Sequence, residues 1–171
     1  MIYLLFSVRN ADTELFFMIQ NREEILDFIK KNKDDVLFVG IGNRLRRDDG
    51  IGCVVASRGR NFLKEKFIDI GVSFENYLFK ILERREKIIV FIDGMRIKSD
   101  FVFLEIDELI EQGISTHSLS LKRMKEIFDG FGKRVYVLGI NVRDIGVGEE
   151  ISEEVFERGK RILNDILKCM N

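Results

Sequence analysis

Apolar and polar residues follow one another along this chain in blocks whose period keeps changing. From Arg22 to Lys31 the apolar residues Ile25, Phe28 and Ile29 stand three and four apart among charges, the spacing of an amphipathic helix. VLFVGIG (36–42) is instead a short continuous apolar run ending in glycines, which predicts a strand covered on both faces. GIGCVVASRGRNFLKEK (50–66) suits a helix, with Asp48 placed to cap it from the N-terminal side. KFIDIG (66–71) predicts a second strand, and Phe74 to Glu86 a helix with Ser73 as N-cap. KIIVFIDG (87–94) is the strongest strand, an unbroken apolar run stopped by Asp-Gly. DFVFLEID (100–107) alternates and predicts a half-buried edge strand. A loop GISTHS (113–118), a helix over 119–129, the strand RVYVLGI (134–140) and a glycine-marked loop follow. A terminal helix from Glu153 to Lys168 closes the chain, with Glu153 and Glu154 in the first turn, where the helix dipole favours acids.

Strands and helices alternate, and three strands are continuously apolar. The expected architecture is therefore α/β: three layers, α/β/α, with a largely parallel twisted sheet of about five strands and helices on both faces. A single domain is expected over 1–171, made of an N-terminal extension and short helix (1–35) and a core (36–168). Proline is absent, so glycine and polar residues supply the punctuation.

Composition narrows the function classes. With 46% hydrophobic and 33% charged residues the chain can bury a core. Lys plus Arg number 28 against 29 Asp plus Glu, so the chain lacks the basic footprint of a nucleic-acid binder. No apolar run approaches the ~20 residues of a membrane span, so no membrane insertion is expected. MIYLLFSV at the start is apolar, yet no base precedes it and Arg9, Asp12 and Glu14 follow, the reverse of an export signal. A natural start at Met18 is the other reading of that end. Cys53 and Cys169 are too far apart for a redox or zinc pair, which points to a reducing cytoplasm. A monomer is expected.

Ligands of an open α/β sheet bind at the carboxyl ends of its strands. GIGNRLRRDDG (40–50) follows the first long strand and carries Asp48 and Asp49; Asp93 follows the strongest strand; His117, the one histidine, lies in the loop past the alternating strand. Two carboxylates and an imidazole form a borderline-hard donor set suited to Zn, Ni, Mn or Fe(II). Plainer roles exist for each: Asp48 or Asp49 as a helix cap, Asp93 as a turn residue, His117 as a surface hydrogen-bonding group. GIGNRL (40–45) has the placing of a dinucleotide fingerprint, but Leu45 stands at the third glycine position and two acids follow.

These residues resemble the hydrogenase maturation endopeptidases, which process the large subunit of [NiFe] hydrogenases. VLFVGIGNRLRRDDGIG (36–52) resembles the family's strand–glycine–acid signature, IDG (92–94) its aspartate after the central strand, and STHSLSL (115–121) its histidine segment, above all in the branch serving formate-lyase-type and methanogen hydrogenases. SFENYL (73–78) and LGINV…GEEISEEV (138–155) are weaker matches. The resemblance implies an aspartic-type endopeptidase that removes the C-terminal extension of a nickel-loaded large-subunit precursor. Its nickel ligands and catalytic residues fall on Asp49, Asp93 and His117, and Gly42, Asn43 and Arg44 form the expected substrate-binding stretch. The nickel arrives with the substrate, and Zn or Cd could occupy the same site; no organic cofactor is implied. Arg47 departs from the pattern, standing where a glycine commonly precedes the acids, so a positive φ there would strain it. Arg44, Arg46 and Arg47 either pair internally or dock a carboxylate of the precursor's tail. The alternatives are a non-catalytic metal-binding accessory protein and a nucleotide-binding α/β protein.

Overall fold

The computed structural model describes residues 18, 19, 21–108 and 125–171. Helix α1 (Arg22–Lys31) opens on Asn21, whose side chain accepts the Glu23 N–H, and buries Ile25 and Ile29. The strands are β1 (Met18–Ile19), β2 (Val36–Ile41), β3 (Phe67–Gly71), β4 (Ile88–Met95), β5 (Phe101–Glu105) and β6 (Arg134–Asn141). They form one sheet in the order β1-β5-β6-β4-β2-β3. β3, β2, β4 and β6 run parallel, while β5 is antiparallel to β6 and β1 to β5. The five expected strands are present, and β1 adds a short sixth.

The continuous apolar runs are buried on both sides because alternate residues serve opposite layers. Val36, Phe38, Ile88, Val90 and Ile92 join a core with α1, α2 (Ile51–Arg60) and α5 (Glu153–Met170). Leu37, Val39, Ile41, Ile89 and Phe91 join another with α3 (Phe74–Leu82) and Phe128 of α4 (Lys125–Gly130). This is the three-layer α/β/α arrangement.

Several boundaries and exposures depart from expectation. The DFVFLEID strand is not a half-buried edge: β1 pairs outside it, and Phe101 to Leu104 are all buried because Phe101 and Phe103 enter one core layer and Val102 and Leu104 the other. Helix α2 stops at Arg60 instead of running to Lys66, because the chain turns back to lay Phe67 on Gly59, where an added Cβ would lie 2.6 Å from the ring. Helix α3 stops at Leu82 instead of Glu86, since Glu86 is drawn into a buried ion pair with Arg84 and Lys66. Ser73 precedes α3 without a side-chain cap bond. The expected helix over 119–129 is seen from Lys125; its earlier part lies outside the described residues.

Candidate active site

Two glycines decide where the acids sit. An added Cβ on Gly52 would lie 2.0 Å from the Ile92 carbonyl oxygen and 2.4 Å from that of Ile41; one on Gly40 would lie 2.5 Å from the Ala56 Cβ. The first turn of α2 therefore rests directly on the main chain of β2 and β4, which are parallel neighbours with Gly40 opposite Ile92. The 3-10 turn Arg47–Gly50 leading into α2 is thereby held at the carboxyl rim of both strands. Asp93 follows Ile92 on the same rim, and the next residue, Gly94, packs tightly: a Cβ there would lie 3.0 Å from the Val142 side chain and 3.1 Å from the Asp48 carbonyl oxygen.

Asp49 and Asp93 are thus brought together at one rim, 7% and 1% exposed. The Asp49 Oδ2 accepts the Asn43 N–H at 3.0 Å. His117 lies outside the described residues. Its expected place, however, came from counting the alternating strand among those that end at this rim, and β5 is antiparallel. The chain therefore leaves β5 at the opposite rim, and the strand-end rule does not by itself carry His117 to the two acids.

Asp48 was expected to cap α2, and it does not. The N-cap of α2 is Gly50, with no side-chain bond. The fully buried Asp48 carboxylate instead accepts main-chain N–H groups from Asp144 (3.0 Å), Arg143 (3.2 Å) and Ser152 (2.8 Å). Those donors lie far along the chain, so the local pattern of residues did not show them. Burial pushes the Asp48 carboxyl upward, but these bonds outweigh it and hold the group below the usual carboxylate range. Arg47, just before, has φ +47°, the left-handed region that costs a non-glycine residue ~1 kcal/mol.

A charged cluster behind the loop was not anticipated. Asp69, in the middle of β3, takes a bond from the Ser57 hydroxyl (2.6 Å) and an ion pair from Arg44, which also donates to Ser57 Oγ (2.9 Å) and the Cys53 carbonyl (3.2 Å). Burial raises the Asp69 carboxyl, and the Ser57 and Arg44 contacts more than reverse this, leaving it below its ordinary value. The available signal was a lone carboxylate inside an otherwise apolar strand. Cys53 donates to the Gly42 carbonyl (3.3 Å), and burial, then the Asp69 charge, pushes its thiol up to about 12. It stays protonated and is no nucleophile.

Most of the loop's N–H groups bond internally. Gly42 donates to Gly71, Asn43 to Asp49, Leu45 to the Asn43 side chain, Arg46 to Asn43, Arg47 to Gly148 and Asp48 to Asp144. A phosphate would find these donors taken, which tells against the nucleotide reading.

No family model matches the chain. A Methanocaldococcus jannaschii protein provisionally named a hydrogenase maturation protease is 30% identical over 149 residues, covering 79% of this chain and 88% of that one. The chain belongs to the hydrogenase maturation protease family. A second M. jannaschii protein of the same provisional name is 27% identical over 150 residues, 78% of this chain and 97% of that protein. The crystal structure of the [NiFe] hydrogenase maturation protease HycI from Thermococcus kodakarensis superposes with a TM-score of 0.75 at 25% identity, covering 86% of this chain and 98% of that one. The hydrogenase maturating endopeptidase HybD of E. coli shares the fold at a TM-score of 0.62 and 18% identity, over 78% of this chain and 90% of its own.

In this hydrogenase maturation protease the three loop arginines all have internal partners: Arg44 pairs with Asp69, Arg47 with Asp144, and Arg46 donates to the Ile145 carbonyl at 3.3 Å. Arg44 and Arg47 nonetheless leave about half of their side chains exposed. Beside the acid turn an open cleft of about 730 Å³ is lined by Arg47, Asp48, Asp144 and the stretch 148–153. No helix among the described residues is long and apolar enough to cross a membrane.

Proposed function

We propose that this protease cuts the C-terminal extension from the large-subunit precursor of a [NiFe] hydrogenase after nickel insertion, recognising the nickel that the precursor carries. The observation that supports this most is the pair of nearly buried carboxylates, Asp49 and Asp93, at the rim of adjacent parallel strands. Two carboxylate oxygens and the His117 imidazole make a donor set of the right softness for Ni²⁺, and Zn²⁺ or Cd²⁺ would fit as substitutes. Chain length allows His117 to join them. From Glu105 to His117 an extended chain spans up to ~40 Å, more than the ~26 Å height of the eight-residue β6.

The nickel is cargo, so it brings its own protein with it. Docking it on Asp49, Asp93 and His117 sets the precursor's tail beside two carboxylates, and the neighbouring cleft offers room for an extended segment. Gly42, Asn43 and Arg44 line the loop that the tail meets, with the exposed part of Arg44 available to a carboxylate. Hydrolysis then adds water to the peptide carbonyl; Asp49 or Asp93 takes the water's proton and returns it to the departing amine. The enzyme acts as a monomer in the cytoplasm, where Cys53 and Cys169 remain free thiols.

The test is mass spectrometry of a nickel-loaded large-subunit precursor incubated with the purified protein. One cut near the precursor's C-terminus is expected, and none on nickel-free precursor. His117→Ala and Asp93→Asn should each abolish cleavage while the circular dichroism stays unchanged. Binding without cleavage by the wild type would make the protein a non-catalytic accessory. Cleavage retained in His117→Ala would remove His117 from the site.

A further inference from the structure

The adjacent acids of the turn face different partners. Asp48 is tied to the segment after β6, and the main chain of the same turn adds three ties to it: Arg47 N to Gly148 O (2.7 Å), Gly148 N to Leu45 O (2.9 Å) and Asp48 N to Asp144 O (3.0 Å). Asp49 binds within its own loop, at the Asn43 N–H. Within the loop the Arg46 N–H donates to the Asn43 carbonyl (3.0 Å) and the Asp49 N–H to the Arg46 carbonyl (3.1 Å). The turn's N-cap residue Arg46 and the α2 N-cap Gly50 bring no side-chain bond, and Arg47 sits in the left-handed region. The far loop adds the ties that hold the strained Arg47–Asp48 corner.

We propose that Asp48 is a positioning residue for Asp49: its carboxylate straps the loop after β6 to the turn after β2 and so fixes the turn on which Asp49 rides. This rests on the reading of Asp49 as part of the nickel-recognising site. The chemistry of the position is specific. Three N–H donors converge on a group with no solvent exposure, and a carboxylate, which only accepts, satisfies all of them. An asparagine would turn its NH₂ against at least one donor and leave that N–H without an acceptor.

Ser152 allows the strap to be cut without touching either acid. It is exposed, with φ −60° and ψ 143°, a conformation that proline adopts, and its carbonyl goes on accepting the Phe156 N–H at 2.9 Å. Ser152→Pro deletes the N–H donated to Asp48 Oδ1 together with the hydroxyl contact on the same carboxylate; Ser152→Ala loses the hydroxyl alone and so isolates the N–H. In Ser152→Pro we expect hydrogen exchange at the Asn43 amide to rise about tenfold, the size of a lost bond to a charged group. Processing should lose about tenfold in kcat with KM held within about twofold, because alignment rather than docking is affected. Ser152→Ala, which keeps the N–H, should raise Asn43 exchange less than Ser152→Pro does.

Faster exchange confined to residues 143–152, with Asn43 protection and kcat unchanged, would overturn the proposal, since Asp48 would then support only the far loop. Should Ser152→Pro not fold, Asp48→Asn is judged by the same two signals, with the same outcomes expected and the same ones fatal. The Asn43 exchange is read without substrate. A wild type that cuts no precursor therefore refutes the proposed function and leaves the strap to be decided by that amide.

Discussion

Replacing Gly52 by alanine sets two effects of opposite sign against each other. Within a helix the change normally gains ~1 kcal/mol, because alanine orders at lower entropic cost. Here the new methyl would lie 2.0 Å from the Ile92 carbonyl oxygen and 2.4 Å from that of Ile41. Both obstacles are main chain in the central strands, so no rotamer change can clear them. The helix must rise by ~1 Å to restore contact distances, and overpacking of that kind costs ~3 kcal/mol at the upper end of its usual range. A net loss of ~2 kcal/mol follows, or a fall of ~4–8 °C in Tm at this chain length. The same lift displaces the turn bearing Asp49 from Asp93, and a misplacement of ~1 Å in a catalytic arrangement costs ~100-fold in rate. Calorimetry and the precursor-processing assay measure the two effects independently. A Gly52→Ala protein that melts at or above the wild-type temperature and processes at full rate would refute the close approach of α2 to the sheet.

Two further expectations concern stability alone. Arg47→Gly should be more stable than Arg47→Ala by ~1 kcal/mol in urea unfolding, because both lose the half-exposed pair with Asp144 but only glycine is at ease at φ +47°; equal midpoints would show that the turn relaxes once the arginine is gone. Glu86 is 1% exposed; burial raises its carboxyl, but the Arg84 bonds, the Arg84 charge and Lys66 bring it below the ordinary 4.5. A depressed folded-state pKa contributes stability that is complete above the unfolded value and is lost as pH falls through the folded one. Glu86→Gln should therefore be less stable than wild type at neutral pH, with the gap closing below about pH 4.5; a gap independent of pH would show that the ion pair is not its source.

What the sequence disclosed and what it hid divide by range. Val36–Ile41 and Ile88–Met95 were legible because burial on both faces writes itself into consecutive apolar residues. So were α1 and α5, whose apolar faces repeat at helical spacing. The direction of β5 was not, since alternation reports exposure and says nothing of parallel or antiparallel pairing; its interior place in the sheet depends on a two-residue partner at Met18–Ile19. At the site, strand ends sufficed to bring Asp49 and Asp93 to one rim. Asp48 was misjudged because all its donors lie beyond Val142, and a capping rule sees only the next turn. The strain foreseen for Arg47 is present, since a glycine-favouring position reveals itself by what the family places there.

Asp69 has one more consequence, for solubility. β3 is the last strand on its side of the sheet, and it reads Phe-Ile-Asp-Ile-Gly, so without the acid it would offer an unbroken apolar margin to passing chains. Charges set within marginal strands are a means by which proteins discourage edge-to-edge aggregation. The residue that braces Arg44 also sets a charge within that margin, and an apolar, β-prone side chain in its place is expected to raise aggregation.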